Sequence, residues 1–405
     1  MNRRNFLTRA LSVPIVGLFS SFTTATAAEV GKTKITGMKL KPISRIGHTL
    51  IRIDTDAGIS GYGESGVSGP MMVAWRERYA PLLMNQDPIS IERHFHRMST
   101  LMHPYMARIP ALSGIDIALW DLAGKLTGRP VYELLGGPFR QRVPMFINTS
   151  PRNMLDRPAV QEWAAGLRKN TFGFKAVKMD TTSPINKPAG VYTTTLTAQD
   201  LRKIRTGFEN VRTELGPDYD IMVHCHNEYD LPSSVGIARA VESIEPTWLE
   251  DPLPVPFSDS WLSLKRDCRV PLLTGEKQEM PMGFFPFLKN QAVDYIYPDL
   301  AFCGGITAGM KIATIAELYR IPIATHNVGG VLLTMASIHF GMSIHDFLTS
   351  ETRLGSTPNI LDMAKNPPVI EQGNAICSDR PGLGVELNDE GVKQWQSRED
   401  SAEWM

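Results

Sequence analysis

The sequence predicts an α/β protein built on a (β/α)8-type barrel, preceded by a separate α+β section. Three observations lead there. From Ile221 to Glu351, six short apolar segments each end in a polar residue: His224 with His226 just beyond it, Glu250, Glu276, Asp299, His326 and Glu351. The steps from His224 to Glu351 are 26, 26, 23, 27 and 25 residues, close to the roughly 30 that one strand-helix unit takes in a barrel of typical size. Second, the chain before Arg142 shows no such alternation. Third, after Gly355 the rhythm stops in an irregular stretch, Asn366-Pro-Pro and Asp379-Arg-Pro-Gly, expected to run back to the first section.

At 405 residues the chain exceeds one average domain and can bury a large core. Hydrophobic residues are 42% and charged ones 21%, which argues against long disorder. Lys+Arg and Asp+Glu both number 42; with no basic block, nucleic acid is not an expected partner. Residues 1–28 read as an export segment. They hold Arg3-Arg4-Asn-Phe-Leu, an apolar run from Leu11 to Phe22, and Ala25-Thr-Ala27 at a cleavage position. The paired arginines resemble a twin-arginine signal, which predicts a periplasmic protein with no lasting membrane anchor. Cleavage would remove Arg3, Arg4 and Arg9 and no acid, for a net charge of −3. Cys225, Cys268, Cys303 and Cys377 form no CxxC; Cys225 and Cys303 read as small core residues.

In order, Thr33 to Glu64 predicts a hairpin about Asp56-Ala-Gly58. Ser65 to Pro70 predicts a mobile loop, and Met71 to His103 is helical in character. Ala111 to Lys125 has helical spacing and stops at Thr127-Gly-Arg-Pro130. Val131 to Pro138 predicts a short helix closed by glycines. Val143 to Asn148 is the first barrel strand, and Val160 to Asn170 its helix. Gly173 to Asp180 is the second strand, Thr181 to Thr195 a loop, and Thr197 the N-cap of a helix to Leu215. The domain boundaries follow: 1–28 export segment, 29–140 capping domain, 141–365 barrel, 366–405 a segment packing back on the cap.

Barrel enzymes place their chemistry at the C-terminal rim of the strands. Carboxylates and histidines converging there suggest a metal beside an acid/base pair. His224 and His226, two residues apart, are expected on one face of their strand.

With these residues in view, the chain resembles the enolase superfamily, in its mandelate racemase / muconate lactonizing branch. The resemblance spans roughly residues 33 to 390. It rests on Gly61-Tyr-Gly-Glu64, Asp116-Ile-Ala-Leu-Trp-Asp121, Trp248-Leu-Glu250-Asp-Pro, Thr274-Gly-Glu276, Asp299 with Gly304-Gly305, and Thr325-His326-Asn327, in that order. It implies a modified (β/α)7β barrel, a cap built from both termini, and a divalent metal, usually Mg2+. Relatives are often octamers or dimers, so a homo-oligomer is expected. The implied chemistry removes a proton α to a carboxylate. A cation stabilises the enediolate that forms.

The resemblance assigns Glu250 and Glu276 as metal ligands and His326 with Asp299 as the base dyad. His226 matches the acid of galactonate- and mannonate-type dehydratases, and Glu351 a glutamate that hydrogen-bonds the substrate carboxylate. Two positions depart from the pattern. His224 stands where relatives have Asp, which opens the site to Mn2+, Zn2+ or another ion better suited to imidazole. Lys178-Met-Asp180 stands where many have Lys-x-Lys. Lys178 would contact the carboxylate or act as a base; Asp180 would add an oxygen near the metal or be a solvated rim charge. Arg45, His48 and Asn327 are candidate substrate contacts. The favoured reading is an acid-sugar dehydratase giving a 2-keto-3-deoxy acid. The alternatives are a racemase, epimerase or cycloisomerase of the same family, and a non-catalytic acid-sugar binder with a degraded metal site.

Overall fold

The computed structural model describes residues 32–101, 108–185, 195–354, 358–401 and 403–405. The expected export segment lies outside them, as do residues 186–194 of the expected loop between Thr181 and Thr195.

The cap begins with three antiparallel strands, β1 (Ile35–Ile43), β2 (His48–Thr55) and β3 (Ser60–Ser65). The expected turn at Asp56–Gly58 joins β2 to β3, with Gly58 left-handed at φ 71°. Three helices cover this sheet: α1 (Gly69–Leu83), α2 (Ile91–Ser99) and α3 (Arg108–Thr127). The single helical stretch expected from Met71 is two helices, because left-handed Asn85 (φ 60°) and then Pro88 interrupt it; His103 is outside the described residues. Ser65 to Pro70, expected as a mobile loop, is a short link from β3 into α1. Its Val67 is buried, and the Val67 carbonyl accepts the Thr49 hydroxyl at 2.7 Å. Gly61 and Gly63 let α3 lie directly on β3: a Cβ on either would overlap the Ala118 or Gly114 carbonyl. A short α4 (Val131–Leu134) leads out of the cap.

The barrel follows as seven strand-helix units and a last strand. These are β4 (Arg142–Asn148), α5 (Arg157–Arg168), β5 (Ala176–Asp180), α6 (Ala198–Leu215), β6 (Asp220–His224) and α7 (Leu231–Val241). Then come β7 (Trp248–Glu250), α8 (Asp259–Asp267), β8 (Leu272–Thr274), α9 (Met280–Lys289), β9 (Tyr295–Ile296) and α10 (Gly305–Leu318). β10 (Ile323–Thr325), α11 (Val331–Ser343) and β11 (Phe347–Thr352) complete it. All eight strands pair in parallel, and β11 closes the sheet on β4, with Glu351 opposite Phe146. The architecture is the expected (β/α)7β barrel with its cap. Thr197 caps α6 as expected, in a reciprocal box with Asp200. Phe146, Met222, Trp248, Leu273 and Tyr297 fill the barrel interior beneath the rim.

After the barrel, β12 (Val369–Glu371) and β13 (Asn374–Ile376) form a hairpin antiparallel to β4. Beyond α12 (Asp389–Lys393), the chain end returns to the cap: Met405 and Leu40 exchange backbone hydrogen bonds at 2.9 and 3.0 Å.

Two buried cap carboxylates join cap to barrel. Glu64 accepts the backbone N–H of Gly330 (2.6 Å) and Leu333 (3.2 Å) at the start of α11, and His48 Nδ1 donates to it at 2.9 Å. Asp116 accepts the Thr307 N–H at the start of α10 (2.9 Å). Each supplies an acceptor to otherwise unpaired amides at the positive end of a helix. Glu64→Ala leaves those amides buried without an acceptor and is expected to cost about 3 kcal/mol, read as a lower denaturation midpoint. Glu64→Gln, which keeps an acceptor oxygen, should lose less. An Ala variant as stable as the parent would mean these bonds do not hold the cap down.

Candidate active site

Each polar residue that marked a strand end lies at the barrel mouth. His224 and Glu250 are the last residues of β6 and β7; Glu276 follows β8 by two, His326 follows β10 by one, and Glu351 lies in β11. Asp299, beyond β9, pairs with His326 through an isolated parallel bridge. Strand geometry thus aims six side chains into one volume above the interior plug.

The groups form a row across the mouth. His326 Nδ1 donates to Asp299 Oδ2 at 2.6 Å, because a carboxylate can only accept. His326 Nε2 then faces Glu276 Oε2 at 3.3 Å. Glu276 Oε2 is 3.6 Å from His224 Nε2, and Glu250 Oε1 is 3.3 Å from the same nitrogen. On its other side His224 Nδ1 is 3.2 Å from Asp180 Oδ1, which lies 3.4 Å from His226 Nδ1. β6 and β10 stand four places apart in the eight-strand ring, so His226 and His326 flank the mouth from opposite walls.

The carboxylates are fixed from below. Lys178 is almost wholly buried, its Nζ 3.0 Å from Glu250 Oε1 and 2.9 Å from Glu351 Oε1. Trp248 Nε1 donates to Glu250 Oε2 at 3.0 Å, and the Tyr297 hydroxyl donates to Glu351 Oε2. Burial opposes the Lys178 charge, but Glu250 and Glu351 outweigh it and hold the ammonium well above its ordinary value. The structure places Lys178 against Glu250 and Glu351, the protein's own carboxylates, beneath the mouth. Burial pushes Glu250 up to about 8, against the pull of Lys178 and with Glu276 and Glu351 adding to it. Burial would lower His326, but Glu276, Glu351 and the Asp299 hydrogen bond hold it at about 9. Burial and then Lys178 push His224 down to about 4, so its ring is neutral at pH 7.

His224, Glu250 and Glu276 offer donor atoms within 4.8 Å of one another. Glu276 Oε2 and His224 Nε2 are buried and without a hydrogen-bond partner among the described residues. One carboxylate and a neutral imidazole left open in this way, beside the Glu250 carboxylate, fit a divalent cation.

Several expectations need correction. His226 is not on the strand with His224: β6 ends at His224, and His226 (φ 56°) and Asn227 (φ 63°) form a left-handed turn. The rings still meet, with centroids 3.7 Å apart. Non-glycine residues hold that conformation only when over-determined. Here Asn227 Nδ2 donates to the Leu253 carbonyl (2.7 Å), and Lys277 Nζ donates to the His226 carbonyl (3.0 Å) and Asn227 Oδ1 (2.8 Å). Arg45 is exposed and donates to the Gln394 carbonyl, against the C-terminal segment rather than the mouth. Asn327 is buried, with both ends of its amide bonded to Thr334 and Gly329. His48 is buried and its Nδ1 is bonded to Glu64. Asp180, in contrast, is part of the row. Trp248, quoted only as part of a motif, and Tyr297 carry no sequence signal for their hydrogen bonds to Glu250 and Glu351, because an aromatic inside a strand reads as core.

The chain is similar to known proteins over most of its length. Residues 159–391 match the family described as enolase C-terminal domain-like. Residues 23–136 match the mandelate racemase / muconate lactonizing enzyme N-terminal domain. A D-xylonate dehydratase of Haloferax volcanii is 31% identical, over 85% of this chain and 84% of that protein. A D-galactonate dehydratase family member of Musicola paradisiaca is 28% identical, over 90% and 97%. The crystal structure of a mandelate racemase/muconate lactonizing enzyme-like protein from Rubrobacter xylanophilus superposes with a TM-score of 0.82 at 31% identity, covering 90% of this chain and 98% of that one.

A proton held on Glu250 up to about pH 8 must leave when a cation takes that carboxylate. Divalent-ion affinity is therefore expected to rise with pH, by up to about tenfold per unit for each proton displaced, and to level off only above about 9, where His326 has also lost its proton, read by calorimetric titration in buffers of different ionisation enthalpy. Affinity flat from pH 6 to 8, with no proton release, would mean that no proton on Glu250 competes with the cation.

Proposed function

The chain belongs to the mandelate racemase / muconate lactonizing enzyme family, and from that premise we propose that it is an acid-sugar dehydratase. The reaction proposed removes water from a 2,3-dihydroxy acid to give a 2-keto-3-deoxy acid. The observation that carries this is the placement of His326 and His226 on opposite walls of the mouth, with the carboxylates between them. The dehydratase names of the Haloferax volcanii and Musicola paradisiaca relatives support the same reading. So does a D-gluconate dehydratase of Thermoproteus tenax, 26% identical over 86% of this chain.

A divalent ion held by His224, Glu250 and Glu276 would supply positive charge to the substrate carboxylate as it becomes an enediolate; Mg2+ is the family's usual ion, and the imidazole widens the choice to Mn2+ or Zn2+. The protein's own groups do the rest. His326 Nε2 takes the C2 proton while Asp299 holds Nδ1–H. His326 owes its raised value to Glu276 and Glu351; once those charges are neutralised it falls back toward the ordinary imidazole range and becomes a base. The C2–H electron pair moves into the carboxylate, then returns to form C2=C3 as the C3–O bond breaks. His226 delivers the proton that makes the leaving group water. The enol then tautomerises to the keto acid. Lys178 and Tyr297 hold Glu351 in place beside His326. Racemisation needs a second base on the opposite face of C2; Asp180 stands where the lysine of that branch would be, and Lys178 is held as the ammonium. We also propose export through residues 1–28, on the twin-arginine pattern alone.

The test is a panel of aldonates with Mg2+ or Mn2+, read as 2-keto-3-deoxy acid. His326→Asn is expected to lose both dehydration and solvent deuterium exchange at C2, by at least about 100-fold. His226→Asn should lose dehydration and keep exchange. If His226→Asn dehydrates at the parent rate, His226 is not the acid. If the parent exchanges or epimerises C2 without losing water across the panel, the isomerase reading replaces this one.

A further inference from the structure

His224 has a second side. Its ring is 2% exposed, yet neither nitrogen has a hydrogen-bond partner among the described residues, and neither does Asp180 Oδ1. Leaving buried polar atoms open is costly. Nε2 faces the Glu250 and Glu276 carboxylates at 3.3 and 3.6 Å and carries the ring N–H when Nδ1 offers the lone pair. Nδ1 points away from that pair, toward Asp180 Oδ1 at 3.2 Å, and that oxygen is 3.4 Å from His226 Nδ1. The contacts are close in distance but do not meet hydrogen-bond geometry at His224 or at that oxygen. Donors arranged around a common ion have this relation, because each aims at the ion and not at its neighbour. With zinc–nitrogen and zinc–oxygen bonds of about 2.0–2.2 Å, tetrahedral ligands stand about 3.4 Å apart. Asp180, His224 and His226 have donor atoms within 4.8 Å of one another.

We propose that Asp180 Oδ1, His224 Nδ1 and His226 Nδ1 form a second, nitrogen-rich cation seat, an alternative to the His224–Glu250–Glu276 seat because a neutral imidazole lends its one lone pair to a single ion, and suited to a first-row transition ion of the zinc class. Two imidazoles and one carboxylate select such ions over Mg2+, which prefers oxygen. Asp180 and His226 are partly exposed, with side chains 23% and 29% accessible, so the seat opens to solvent and leaves a position for water. The left-handed turn at His226 and Asn227, pinned by Lys277 and Leu253, brings the His226 ring to the seat. A zinc ion there would engage the imidazole that the dehydration reading uses as its acid, making zinc an inhibitor of that reaction. This consequence rests on the dehydratase reading; the binding does not.

The experiment is zinc titration of the full chain, with Zn2+ alone, in a Glu276→Gln background that weakens the carboxylate seat. That variant is expected to keep about one tightly held zinc, and adding His226→Asn or Asp180→Asn is expected to release it. No zinc retained by Glu276→Gln, or zinc retained unchanged after His226→Asn, would overturn the second seat. Should Glu276→Gln not fold, Co2+ absorption of the parent gives the same answer. Intense tetrahedral bands that disappear in His226→Asn support the seat, and bands that are absent or unaffected by the substitution reject it. Neither readout uses turnover, so a chain that fails to dehydrate aldonates can still hold the ion, and the reverse.

Discussion

The rest of the molecule is arranged around an unfavourable concentration of negative charge. Glu250, Glu276, Glu351 and Asp299 are nearly or wholly buried at one end of the barrel, where unpaired charge is costly to desolvate. One buried ammonium, Lys178, spans two of the four. The interior aromatics extend polar tips upward, so that Trp248 and Tyr297 act as both core filling and hydrogen-bond donors. The charge that remains unbalanced has two outlets. One is protons, on His326 and Glu250. The other is a cation. Protons on His326 and Glu250 and a cation among the carboxylates would therefore draw on one charge balance.

The cap uses the same physics for a structural purpose. Glu64 and Asp116 place buried carboxylates at the N-termini of α11 and α10, the helices that follow β10 and β9. Asp121 accepts the Tyr62 N–H (2.8 Å) and the Leu383 N–H (2.7 Å), tying the C-terminal segment to the cap. The loop after His326 is thereby clamped between Glu64 and the internal bonds of Asn327. His326 is held by Asp299 and also, through the next turn of chain, by the cap.

Much of this was legible in the sequence. A strand has a period of two and a barrel unit a nearly constant length, so a polar residue at the end of each apolar run had to lie on one rim. That rule placed His224, Glu250, Glu276, Asp299, His326 and Glu351 without reference to any contact. It failed where the backbone leaves the strand. His226 was assigned a face by strand alternation, but β6 stops two residues before it and a left-handed turn sets its direction. Arg45 and Asn327 were read by residue type, and only their partners, Gln394 for one and Gly329 with Thr334 for the other, show that they are occupied. Glu64 and Asp116 belonged to visible motifs, but their partners are more than 180 residues away in sequence, beyond any local pattern.

The two departures from the family pattern, His224 for Asp and Asp180 for Lys, make sense only together. An Asp ligand beside a Lys would carry one charge of each sign. A neutral imidazole beside an Asp carries one negative charge, now one strand toward β5 and nearer solvent. The exchange softens the inner donor set by replacing an oxygen with a nitrogen, and creates a carboxylate where a cationic base would stand. A lysine at 180 would put an ammonium about where Asp180 now faces both imidazoles, repelling any cation on that side. With Asp180 there, the same space attracts one. On the dehydratase reading proposed above, the substitution pair removes a second face of proton transfer at C2 and directs the outer half of the mouth toward His226. That asymmetry, one base wall and one histidine-carboxylate wall, is what elimination of a neighbouring hydroxyl requires and inversion at a single carbon does not.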